Sequence, residues 1–99
     1  MDYKLITRHF ASSDELESLI SKKINKLARF AKWIKHVEII IDGEGNRRDT
    51  EINVSMDHKK INAKAKGADE FKTLAEAFNK VERQVRKFEE KVTKHHGRR

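Results

Sequence analysis

Cysteine and proline are both absent from this 99-residue chain, and glycine occurs only four times. Without cysteine there is neither a disulfide scaffold nor a thiolate metal site. Without proline nothing breaks a long helix by removing a backbone donor. No apolar run approaches the roughly 18 residues of a membrane span, and the N-terminus lacks a signal peptide's apolar core. A soluble, intracellular protein that does not span a membrane is therefore expected. Acids are also scarce in one part of the chain: residues 1–58 hold ten Lys/Arg and ten Asp/Glu, whereas residues 59–99 hold thirteen and six. The net charge of +7 thus resides in the last two elements. A nucleic acid backbone, an anionic membrane surface and an acidic protein are the partners such an excess would attract.

Charged residues make up 39% of the chain and hydrophobic ones 36%. That balance would suit disorder, but the apolar residues are strongly periodic, and periodicity is what disordered chains lack. Phe71, Leu74, Phe78, Val81, Val85, Phe88 and Val92 recur at alternating intervals of three and four, which makes one stripe of a helix running from Asp69, its cap, to Lys94. Lys80, Arg83, Lys87, Lys91 and Lys94 make a second stripe, roughly 140–180° away. Near the N-terminus, Ser12 and Glu15 have capping-box spacing, and Leu16, Ile20, Ile24, Leu27, Ala31 and Ile34 predict a helix over Ser13–Trp33. Lys22, Lys26 and Arg29 flank that stripe as a second basic ridge, expected to merge with the first into one exposed wall, and Lys23 falls inside the apolar sector, where its ammonium must snorkel outward.

Strands are expected where apolar residues alternate. Tyr3 and Leu5 point inward in the first; Val37, Ile39 and Ile41 in the second; Ile52, Val54 and Met56 in the third; Ile61, Ala63 and Ala65 in the fourth. A mobile polar loop at Gly43–Arg48 and a tight turn at Asp57–His58 separate the last three. The expectation is an α+β fold of order β-α-β-β-β-α, a four-stranded mixed sheet with two helices packed on one face. Residues 1–94 form one domain and residues 95–99 a basic tail.

Catalytic constellations are missing from the pattern. The five histidines have no metal-ligand spacing, no serine has a nucleophile-elbow context, and Gly43 and Gly45 lack the helix and lysine of a phosphate loop. Glu82 and Glu89 share a flank as ordinary surface charge. No enzyme, metal or cofactor is expected. Binding through shape and phosphate contacts fits better, since the sheet's outer face carries no aromatic pair for base stacking. Trp33 either stacks on a nucleotide or completes the core.

Ile24-Asn25-Lys26-Leu27, Val37 to Ile41, Ile61 to Gly67, Asp69-Glu70-Phe71 and above all Asn79-Lys80-Val81-Glu82-Arg83-Gln84-Val85 make residues 1–94 resemble the short ribosome hibernation-promoting factors, the family that includes protein Y. The resemblance implies a double-stranded-RNA-binding-domain-like fold and a protein lodged in the decoding region of the small ribosomal subunit. There it blocks tRNA and mRNA by bulk alone. It further implies ribosomal RNA contacts at Lys23, Lys26, Lys80, Arg83, Gln84 and Lys87, to which helical spacing adds Lys22, Arg29 and Lys91. Ala75 departs from the family, many members having an acid there. The dimer-forming domain of long members is absent, so a monomer that does not pair ribosomes by itself is expected. A generic double-stranded-RNA binder and a regulatory protein-interaction module remain the alternatives.

Overall fold

The structure, a computed structural model, describes residues 1–97. Its elements are β1 (Asp2–Arg8), α1 (Asp14–Leu27), a 3₁₀ turn (Ala28–Phe30), β2 (Ile34–Glu44), β3 (Arg47–Met56), β4 (Lys59–Gly67) and α2 (Glu70–Gly97). The sheet order is β1-β2-β3-β4, with β1 parallel to β2 and the other neighbours antiparallel. This is the mixed α+β arrangement the alternation predicted. The inward residues of β2, β3 and β4 are buried with Leu16, Ile20, Ile24 and Leu27 of α1 and Leu74, Ala77, Phe78, Val81 and Val85 of α2, so one core lies between the helices and a single face of the sheet. Ala63 and Ala65, buried on β4, let α2 approach the sheet closely.

Local details differ from the expectations for physical reasons. The first α-helix stops at Leu27 rather than Trp33. Tightening to three residues per turn sets Phe30 below Leu27, so Phe30 is wholly buried while Ala31, on the extrapolated stripe, is exposed. The N-cap is Ser13 and not Ser12: the Leu16 amide donates to Ser13 Oγ at 3.1 Å, and the Ser12 hydroxyl is buried without a partner. Asp69 caps α2 as expected, accepting from the Phe71 amide at 2.8 Å. Phe71 itself is 36% exposed; the buried residue of that first turn is Thr73, whose hydroxyl meets that of Thr50 on β3 at 2.9 Å. Tyr3 pairs with Val37 on the helix side of the sheet, yet it is 42% exposed because β1 is the edge away from α2, which packs on β3 and β4.

The expected loop at Gly43–Arg48 is a hairpin. Gly43 pairs with Arg48 and Glu44 with Arg47, which leaves Gly45 and Asn46 as a two-residue turn with Gly45 at φ +58°. Asp57 and His58 form the second two-residue turn, with His58 at φ +60°. Where a tail was expected over 95–99, the backbone of α2 continues to Gly97, and residues 98 and 99 lie outside the described residues.

Candidate nucleic-acid interface

Helical spacing brings Lys22, Lys26 and Arg29 to one flank of the first helical segment, and Arg29 shows where that flank points. Its guanidinium lies 4.7 Å above the Phe30 ring and 3.7 Å from Glu89 of α2. The basic flank of α1 therefore faces the other helix. Lys23 is half-buried beside it, as a snorkelling lysine must be, while Lys22 and Lys26 are exposed.

The α2 stripe points the other way. Lys80 Nζ donates to the Lys64 carbonyl on β4 at 2.6 Å, which turns this flank toward the sheet edge. Gln84, Lys87 and Lys91 follow at helical intervals and are exposed, with exposed Arg83 at the crest. Between this stripe and α1 stand Glu82 and Glu89, two turns apart on the inner flank, their side chains only 21% and 31% exposed. Glu82 accepts a hydrogen bond from Arg86 at 3.0 Å, and Glu89 forms an ion pair with Arg29 across the groove at 3.7 Å. The nine predicted residues thus lie on the helical layer but do not merge into one wall. They form two basic tracks separated by a seam of two ion pairs, Arg86–Glu82 and Arg29–Glu89.

Among the described residues, Lys22, Lys23, Lys26, Arg83, Lys87 and Lys91 form no ion pair, so their charge is available to an outside anion. Arg29 and Lys80 are partly engaged within the protein. The side chain of Lys94 lies outside the described part.

Sequence reasoning missed Arg86. It lines a shallow depression with Asn79, Glu82, Arg83, Lys87 and Glu90, and its spacing of four from Glu82 was the available signal. At the far end of the helical layer, sequence reasoning left Trp33 open between stacking and packing, and it missed Lys32 and Lys59 beside it. Trp33 packs edge-on against Phe88 with ring centroids 5.5 Å apart; Lys32 lies 4.8 Å over the Trp33 ring and Lys59 5.8 Å over that of Phe88. Trp33 therefore completes the packing between α1 and α2. Lys59 was legible from register, since it precedes Ile61 by two and so shares the helix-facing side of β4.

The open face of the sheet contrasts with the helical layer. Rows across the strands read Arg8–Asp42–Asp49–Lys66 and Lys4–Glu38–Asn53–Asn62, so acids on β2 and β3 are bordered by bases on the edge strands. Asn62 ties this surface together by donating to Glu51 and to Asn53, each at 2.6 Å. A hydrogen bond from His36 holds the Asp2 carboxyl below its ordinary range, and Lys35 does the same for Asp57. Charge is thus balanced on the open face and unbalanced on the helical one. Among the described residues, no group of three or more His, Asp or Glu could hold a metal ion, and no helix is long and apolar enough to cross a membrane.

Comparison with known proteins agrees with this architecture. A family model described as sigma 54 modulation protein / S30EA ribosomal protein matches residues 3–93. A ribosomal subunit interface protein from Coxiella burnetii superposes with a TM-score of 0.81 at 25% identity, covering 90% of this chain and 98% of that one. The N-terminal domain of Thermus thermophilus protein Y gives 0.77 at 19% identity, covering 89% and 99%, and so shares the fold. No curated protein matches the chain.

Proposed function

Because the chain belongs to the sigma 54 modulation protein / S30EA ribosomal protein family, we propose that it is a cytoplasmic, non-enzymatic ribosome hibernation factor whose helical layer binds ribosomal RNA in the decoding region of the small subunit. Residues 1–94 are the ribosome-binding domain, which acts as a monomer off the ribosome. Inhibition is steric: the domain occupies space that tRNA and mRNA need, and no bond is made or broken. The observation that carries this reading is the segregation of charge, with unpaired lysines and arginines on the helices and a balanced open sheet behind them.

In this reading Lys22, Lys23, Lys26, Arg29, Lys80, Arg83, Gln84, Lys87 and Lys91 meet RNA. Because bases neutralise phosphates, log K should fall by about 0.7–0.9 per phosphate contact for each decade of salt. Cosedimentation with purified small subunits over a salt series tests the idea. Strong binding at low salt with a slope of several units is expected, and Arg83→Ala with Lys87→Ala should flatten that slope while leaving the thermal midpoint nearly unchanged. Absent or salt-insensitive association, or tighter binding to naked duplex RNA than to subunits, would overturn it.

A further inference from the structure

The two basic tracks would make a general polyanion binder if nothing stood between them. Glu82 and Glu89 stand there, one on each side of a two-turn step of about 10 Å. They are half-buried and each is turned to an arginine, so swinging clear of an approaching phosphate would break an ion pair. Each also occupies an arginine that would otherwise be free for RNA: Arg86 at 3.0 Å and Arg29 at 3.7 Å. Neither pair is needed to close the core, which the apolar residues of α1, α2 and the sheet fill without them.

We infer that Glu82 and Glu89 are specificity determinants, and that the seam they form selects an RNA surface offering two separate backbone segments over a single duplex laid across both helices. A phosphate chain crossing the groove meets arginines already neutralised by Glu82 and Glu89, whereas one segment along Lys22 and Lys26 and another along Lys87 and Lys91 meet lysines that form no ion pair among the described residues. The inference rests on the proposed ribosomal RNA reading and adds to it the form of RNA that the site accepts.

The test compares wild type with Glu82→Gln/Glu89→Gln, which removes both charges at constant shape. Each protein is titrated with purified small subunits and with a short RNA duplex of unrelated sequence, across a salt series. Freeing Arg29 and Arg86 should let the double variant neutralise two more phosphates on the duplex, steepening its salt slope by about 1.5 units and tightening it on the order of tenfold at 0.15 M salt. Small-subunit affinity should change by less than about threefold, because Arg29 already lies on one track and no backbone segment covers Arg86 at the seam. Glu82→Asp/Glu89→Asp, which keeps the charge and shortens the reach, should retain wild-type selectivity and guards against a fold defect in the amide variant. Equal shifts on both ligands, an unchanged duplex slope, or an aspartate variant that behaves like the glutamine one would each overturn the inference. Failure of the wild type to bind subunits at all would remove the ribosomal reading instead, while the duplex arm still reports on the seam.

Discussion

The hydroxyl pair that fastens the start of α2 to β3 has a direction, and that direction sets unequal costs for its two halves. Thr73 Oγ1 donates to the Glu70 carbonyl at 3.2 Å, so its single proton is committed; Thr50 must then donate to Thr73 across 2.9 Å. Both residues are buried, Thr50 at 2% and Thr73 at 1% exposure. Thr73→Val keeps the volume but leaves the Thr50 hydroxyl without an acceptor, which costs about 1–3 kcal/mol. Thr50→Val removes only a donor to an oxygen that keeps its other bond, a loss of about 0.5–1.5 kcal/mol. Replacing both removes the stranded group, and the double variant should be close to wild type. Urea denaturation of the four proteins in a double-mutant cycle measures this, with a thermal midpoint change of about 4–8 °C per kcal/mol in a domain this size. A Thr50→Val protein at least as damaged as Thr73→Val, or a double variant whose loss equals the two singles added, would refute the donor order and with it the account of how α2 is anchored.

Phe30→Ala should cost about 3–5 kcal/mol, because the wholly buried ring would leave a cavity beneath α1; calorimetry showing a loss below about 1 kcal/mol would mean that the 3₁₀ turn collapses to fill it. Gly45→Ala should lower stability by about 1–2 kcal/mol, since φ +58° is the left-handed region that a Cβ disfavours. An unchanged urea midpoint would contradict the turn assignment. Acid dependence offers another check. Asp2 and Asp57 are depressed in the folded state, so their stabilisation is complete above the ordinary carboxylate range and is lost as pH falls from about 4 through the folded value. Asp2→Asn with Asp57→Asn should accordingly show a shallower decline of the urea midpoint between about pH 5 and 2 than wild type, and parallel curves would exclude the two pairs as contributors.

Periodicity alone determined the order and type of the strands and helices, though not all their ends, because burial of one face imposes a period of two on the alternating segments and of 3.6 on the continuous ones. It also located the basic residues, since lysines excluded from a core must appear on the opposite arc of the same wheel. Helix wheels carry no information about how one wheel is turned against another, and the errors gather at that boundary. Phe30 was missed because the chain tightens to three residues per turn under tertiary pressure. Tyr3 reads inward by alternation yet is 42% exposed because β1 is the edge that α2 does not cover. Glu82 and Glu89 read as incidental surface charge until Arg29 reached across to Glu89. Whether two cationic stripes fuse or stay apart depends on the packing angle of α1 and α2 over the sheet, a property of the assembled core that local spacing does not encode.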